Sequence, residues 1–406
     1  MKLKYLFLAM LATAGFISCS NEDDKVDPNA TYDAALTVSV APSAETATKA
    51  STENGTDDGS TDEQKVNTLT AFVFNESGNL VAVKDTTNAK EIKNIVVKAT
   101  TAGTPYQLFL VANLHNTALK SVTSLSSLKS SVASLTDEVE SSLTMTSQVL
   151  NITVKGVEGE RVCQNYVINQ TGSIKIDTEG GLNDYTALTS TGMIPITRLA
   201  SRIQLDKLTV AFVGGNLEGA KFRLDSAYLV NVKSQSLYLG DDLTTGTEYW
   251  NATGSFTVKG NLISPLSVSK ASPYLVTPKI TLTSGNVSSN SVDFTTSANS
   301  NNYLKAYAFE NHIAEVSGTY NTRLILKGEI ILSTGQSLGT SYYHITIAGP
   351  DNAYYVVRNT IYKIEVTITG TGSPNEDQKS DLNAGINAKV TVVPWKVVNQ
   401  TEDDAN

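Results

Sequence analysis

The chain has 406 residues, of which 40% are hydrophobic and 17% charged, and a formal net charge of −9. That length suits about two domains of ordinary size. The acidic balance argues against nucleic acid and against charge-driven binding to anionic lipid, and no apolar run beyond the first twenty residues reaches the length of a transmembrane helix.

The chain opens with a basic Met1-Lys2-Leu3-Lys4 and an apolar stretch from Leu6 to Ile17, and closes that stretch with Ser18-Cys19. This is the order of a secretory signal, and a small residue before cysteine is the shape of a bacterial lipobox. Residues 1–18 are therefore expected to be a lipoprotein signal peptide, with Cys19 acylated as the new N-terminus. An ordinary signal peptide with a chance cysteine is the alternative. Ser20 to Asp24 suits a solvated tether.

Next comes Ala35 to Ala41, in which Leu36, Val38 and Val40 alternate with hydroxyl residues. That period of two predicts a half-buried strand. Pro42 to Gln64 has no apolar periodicity and is rich in Ser, Thr, Gly, Asp and Glu, so it reads as an exposed loop. Within it, Lys49-Ala50 is a candidate site for a trypsin-like protease; a plain solvated linker is the competing reading. Residues 19–49 would then be a propeptide carrying a displaceable strand.

Val66 to Phe74 reads as a buried strand. Asn75 to Asn79 supplies a turn and Leu80 to Val83 a hairpin partner. Ile92 to Lys98 and Tyr106 to Asn113 are further strands. Between Leu119 and Ser142 the apolar residues recur at steps of three and four, which predicts one or two short helices despite the serine content. Strands resume at Arg161 to Ile168, Ser173 to Ile176 and Ile194 to Phe212. Gly214-Gly215 is a candidate boundary, giving units 50–213 and 214–406. Alternating stretches then recur at Lys221, Tyr274, Tyr303, Asn321, Tyr342 and Tyr362. The expected fold class is all-β with a minor helical insertion, arranged as two β-sandwiches in tandem.

No catalytic or metal-binding set emerges. The three histidines, His115, His312 and His344, are scattered, and Cys163 lacks a partner if Cys19 is acylated. No nucleophile elbow or phosphate-cradling glycine loop is present. The sequence calls for no cofactor.

The end of the chain resembles its beginning. Ala388 to Val392 alternates, Pro394 interrupts and Trp395-Lys396-Val397 resumes, within a tail spanning 387–399. Proline confines this segment to an edge or an added strand. A removable strand at the front and a similar strand at the back suggest donor-strand exchange. Cutting at Lys49 would free the slot of Leu36, Val38 and Val40. Val390, Val392, Trp395 and Val397 of a neighbour would fill it, in a head-to-tail contact that does not close. A last strand kept in its own domain is the alternative.

The lipobox at Cys19, Leu69 to Asn75 with Gly78, Leu108 to Asn113, Arg198 to Leu205, Val357 to Tyr362 with Ile368 to Gly372, and Val390 to Val392 with Trp395 together resemble the fimbrillins of Bacteroidales, the type V pilin family. The resemblance implies two transthyretin-like sandwiches and a lipoprotein precursor at the outer membrane. It further implies cleavage by an arginine- or lysine-specific protease, then assembly with copies of itself and other fimbrial subunits in a surface fimbria that supports adhesion and biofilm formation. A stalk subunit is the leading expectation; tip, accessory or anchor subunits, or a glycan-binding surface lipoprotein, are the alternatives. Nothing points to an enzyme.

Overall fold

A computed structural model describes residues 30–42, 59–87, 90–157, 164–169, 172–176, 193–239, 262–263, 275–276, 280–283, 290–295, 304–311, 321–347, 356–375 and 385–394. Almost every regular element among them is a strand. In the first part of the chain these are β1 (Thr31–Pro42), β2 (Thr68–Asn75), β3 (Leu80–Thr87), β4 (Glu91–Thr100), β5 (Thr104–Ala112), β6 (Val132–Ser134), β7 (Met145–Thr146), β8 (Leu150–Val154), β9 (Gln164–Asn169), β10 (Gly172–Ile176) and β11 (Ile194–Arg198). The second part holds β12 (Ala200–Val210), β13 (Lys221–Val230), β14 (Val232–Lys233), β15 (Gln235–Leu237), β16 (Leu262–Ile263), β17 (Leu275–Val276), β18 (Ile280–Thr283), β19 (Ser291–Asp293), β20 (Leu304–Phe309), β21 (Arg323–Ile331), β22 (Ser337–Thr346), β23 (Thr360–Ile368) and β24 (Ile386–Pro394).

The first eleven strands except β6 form one sheet in the order β10-β9-β1-β11-β7-β5-β2-β3, with β4 also on β1 and β8 on β5. The β2–β3 hairpin turns where the sequence predicts, with Gly78 at φ +78°, a left-handed conformation that glycine adopts without a Cβ clash. β2 and β5 read as continuous apolar runs because both of their faces are covered. Leu69, Ala71 and Val73 join Leu108 and Leu110 in a core around β1, while Phe72, Phe74, Phe109 and Val111 face a second core.

Sheet membership changes at Leu199. β12 leads a five-stranded sheet, β19-β12-β23-β24 with β20 also on β12. A second such sheet, β17-β13-β21-β22 with β18 also on β13, packs on the same apolar core through Phe222, Leu224 and Leu326. Gly214 and Gly215 lie in the β12–β13 connection at φ +73° and +62°.

The stretch predicted to be helical is mostly not α-helix. It breaks into 3-10 turns at Thr117–Ser121 and Leu135–Asp137, the five-residue helix α1 (Leu125–Lys129) and β6, which pairs with β15. Leu119, Leu125, Leu128 and Leu135 nonetheless all enter the second core. The spacing signalled burial; the Ser124 hydroxyl caps the short α1 by accepting from the Ser127 amide.

Candidate functional site

β1 is an interior strand. It pairs antiparallel with β4 from Thr31↔Thr100 to Ser39↔Glu91, with an irregularity between Leu36 and Val38. On its other side it runs parallel to β9, from Ala34↔Gln164 to Val38↔Ile168. Its last three residues leave β9 and pair parallel with β11, from Val40↔Ile194 to Pro42↔Ile196. The strand thereby joins the β4–β9–β10 ladder to the β11–β7–β5–β2–β3 ladder.

The three predicted residues all point into one core. Ala34, Leu36, Val38 and Val40 are each 0% exposed and pack among Ile92, Ile95, Val97, Tyr166, Ile168, Ile194 and Ile196. The other face is also covered, with Ala35 and Thr37 buried, so the strand is more deeply set than its alternation suggests. Burying Leu36, Val38 and Val40 stabilises by roughly 5–9 kcal/mol gross, at about 1.5–3 per large apolar side chain. Taking β1 away would leave β4 and β9 facing each other across an apolar gap with unpaired backbone on both sides.

The tail occupies an edge. β24 pairs antiparallel with β23 from Thr360↔Pro394 to Ile368↔Ile386 and ends the sheet there. Pro394 sits at the strand terminus, where a missing backbone donor is tolerated. Val390 is half-buried against the second core, and Val392 stands in register with Tyr362. Gly385, at φ +61°, abuts Gly370, and its carbonyl accepts hydrogen bonds from the Thr369 and Gly370 amides. Cys19, Lys49, Ala50, Trp395 and Val397 lie outside the described residues, as do Cys163 and His312.

A polar cluster unannounced by the sequence lies where residues 59–67 cross to β12 and β20. Glu63, 0% exposed, accepts from Arg202 Nη1 and from the Tyr307 hydroxyl, each at 2.5 Å. Burial, and then the Glu63 charge, push the Tyr307 phenol far above its ordinary range, so this hydroxyl stays a donor. Arg198 Nε donates to the Glu63 carbonyl at 3.0 Å and Nη1 to Asn359 Oδ1 at 3.2 Å. Burial pushes the Arg198 guanidinium down to about 10, against the pull of Glu63. Sequence reading places Glu63 in an exposed acidic loop. Its charged and phenolic partners, Arg202 and Tyr307, are more than a hundred residues away, so no local pattern could reveal the cluster.

His115 Nε2 meets the Ser142 carbonyl at 2.8 Å, and His344 is a buried residue of β22. Among the described residues, no group of three or more His, Cys, Asp or Glu is placed to hold a metal ion.

The described residues form an almost all-β scaffold with β1 buried inside a sheet and β24 on a sheet edge. Comparison with known proteins adds the following. The family model for the major fimbrial subunit protein (FimA) matches residues 34–190, which begin within β1. The chain is 24% identical to major fimbrium subunit FimA type-2 of Porphyromonas gingivalis, across 98% of this chain and 99% of that one. It is 29% identical to Fim1C of Parabacteroides distasonis, whose name marks a candidate fimbrium tip subunit; that alignment spans 58% of this chain and 59% of Fim1C. In fold it resembles a crystal structure of a candidate cell adhesion protein from Parabacteroides distasonis (TM-score 0.57, 21% identity, 89% of this chain and 97% of that one). It also resembles a fimbrilin (FimA) from Porphyromonas gingivalis (TM-score 0.54, 18% identity, 91% and 99%). The resemblance read from the sequence is thus borne out as a similarity: the chain is similar to Bacteroidales fimbrial subunits of major and tip type.

Proposed function

We propose that this protein is a structural subunit of a cell-surface fimbria, assembled by removal of β1 and donation of a neighbour's C-terminal strand. The observation that carries this reading is the seat of β1. It has a ladder on each side and four fully buried apolar side chains, and its continuation toward β2 passes through the Lys49 segment. In the proposed sequence, acylated Cys19 holds the precursor at the outer membrane. A trypsin-like protease then cuts between Lys49 and Ala50, and β1 leaves. Val390, Val392, Trp395 and Val397 of a second copy, or of another fimbrial subunit, enter the vacated slot. Val390-Thr391-Val392 repeats the apolar–Thr–apolar order of Leu36-Thr37-Val38, which suits the pocket that β1 fills. The resulting fibre would support adhesion and biofilm formation. In this reading the joint between the two units falls at Leu199, where the sheets change, rather than at the Gly214-Gly215 boundary expected from the sequence.

The experiment is brief trypsin treatment of the protein lacking residues 1–18, followed by an unboiled gel. Cleavage near Lys49 should be followed by a ladder of oligomers. Deleting residues 390–406 should leave the cut and abolish the ladder; a ladder that persists overturns the donor assignment. A tip subunit is the second reading, favoured by the Fim1C match. A tip accepts a strand but donates none, so it would give a cut without a homotypic ladder.

A further inference from the structure

Between Val26 and Leu69 the only basic residues are Lys49 and Lys65. Of the two, Lys65 lies among the described residues. The Lys65 side chain is exposed, and its ion pair with Asp62 is a surface contact of little energy. Its peptide bond is another matter. The Lys65 carbonyl accepts from Asn113 Nδ2 at 2.8 Å, and its amide donates to the Asp62 carbonyl at 3.2 Å. Val66 is buried, and the Asn67 amide donates to Asn113 Oδ1 at 2.7 Å. On the other flank stands Glu63, held by Arg202 and Tyr307, with its own carbonyl taken by Arg198. The Ser60 amide donates to Glu63 Oε2 at 2.6 Å, and the Ser60 hydroxyl to Glu140 Oε1 at 2.8 Å. Lys305 bonds the same Glu140.

A protease binds its substrate extended, with several residues on each side of the cleaved bond. Engaging Lys65–Val66 therefore requires Glu63 to leave Arg202 and Tyr307, and Val66 and Leu69 to leave the core. Pulling a buried carboxylate from its guanidinium partner is costly, because both charges were desolvated when the protein folded. A lysine that displays its side chain is thus denied as a cleavage site by its backbone.

We infer that the Glu63–Arg202–Tyr307 cluster is a processing stop. It confines lysine-directed cleavage to Lys49 and so fixes where the mature chain begins. A cut at Lys65 would discard Glu63, strip Arg202 of its carboxylate and unfasten residues 59–65 from β12 and β20. The biological meaning rests on the maturation proposed above; the protection of Lys65 does not.

The test is a trypsin time course on the protein lacking residues 1–18, with new N-termini identified by mass spectrometry. In the wild type, the Lys49–Ala50 bond should be lost at least tenfold faster than Lys65–Val66. Glu63→Ala should speed cleavage at Lys65 tenfold or more. Tyr307→Phe, which removes one hydroxyl and keeps the ring, should speed it several-fold and decides the matter if Glu63→Ala does not fold cooperatively. Loss of both bonds at equal rates in the wild type overturns the inference. So does an unchanged rate at Lys65 in a folded Tyr307→Phe protein together with a folded Glu63→Ala protein. Resistance at Lys49 combined with a Lys65 bond that the variants expose would sink the maturation reading and leave the protection of Lys65 supported.

Discussion

Glu138 is a carboxylate placed against its own interest. It is 1% exposed; one oxygen accepts from the Thr144 amide at 2.8 Å, and the other has no hydrogen-bond partner. Burial pushes its pKa up to about 7, opposed by the Thr144 hydrogen bonds and the nearby His115 and assisted by Asp137; Tyr238 is also near enough to feel its charge. The protonated form therefore suits the fold. Stability from this group is full below the unfolded value of about 4.5 and is lost as pH rises through about 7. At 1.36 kcal/mol per unit, the ionised group costs on the order of 3 kcal/mol at pH 8. Glu138→Gln keeps an acceptor for the Thr144 amide and cannot ionise. It should raise stability by about 2–3 kcal/mol at pH 8 and by little at pH 4.5. Urea unfolding at the two pH values checks this, and parallel changes at both would contradict it. Gly328 is constrained by space. A Cβ there would lie 2.3 Å from the Arg223 carbonyl oxygen and 2.4 Å from the Phe222 ring, in the middle of the β13–β21 ladder. Gly328→Ala should cost about 1–3 kcal/mol by overpacking. A thermal melt measures the loss, and adding Phe222→Leu should recover part of it.

At the scale of elements, β1 is needed before the proposed cut and not after it, so a defect in β1 should be erased by processing. Leu36→Asp places a carboxylate in a core where Leu36 has no exposure. The unpaired charge should destabilise the uncut protein by several kcal/mol. Once the cut is made and β1 has left, the variant and the wild type become the same chain. They should then give identical ladders at equal yield of cut protein. A defect that survives the cut would show that β1 stays in the assembled form. How much of this was legible in the sequence depends on range. The alternation of Leu36, Val38 and Val40 revealed the strand, because adjacent residues carry that pattern. It did not reveal that the other face is covered as well, where Ala35 and Thr37 are buried. The spacing of Leu119, Leu125, Leu128 and Leu135 marked a buried surface correctly and its geometry poorly, since irregular turns can aim leucines at one core as a helix does. Ile194 to Leu205 reads as one run; that it hands over from one sheet to another at Leu199 is a fact of pairing, as invisible locally as the partners of Glu63.

For the whole molecule, the proposed exchange predicts that slot and strand are separable parts. In the uncut chain both strands are paired: β1 lies between β4 and β9, and β24 lies along β23. A protein cut at Lys49 and truncated before Val390 should have an open slot and nothing to donate, so it should stay monomeric and melt below the precursor. A synthetic peptide of residues 386–399 should then restore stability, since a ligand that binds only the folded state stabilises it by RT ln(1 + [L]/Kd), about 2.7 kcal/mol at one hundred times Kd. For a domain of 150–250 residues, each kcal/mol raises the melting temperature by roughly 2–4 °C. A peptide of residues 30–42 should do the same, because it returns the strand the slot was built around. A version of the 386–399 peptide with Val390 and Val392 both changed to Asp should not. The decisive comparison is with the uncut protein truncated at the same point, whose slot is full: a shift there from the 386–399 peptide reports re-pairing with β23, and only a larger shift in the cut protein reports the slot. Equal shifts in cut and uncut protein would mean that the peptides bind elsewhere, and no shift from the 386–399 peptide in the cut protein would remove the tail from the slot altogether.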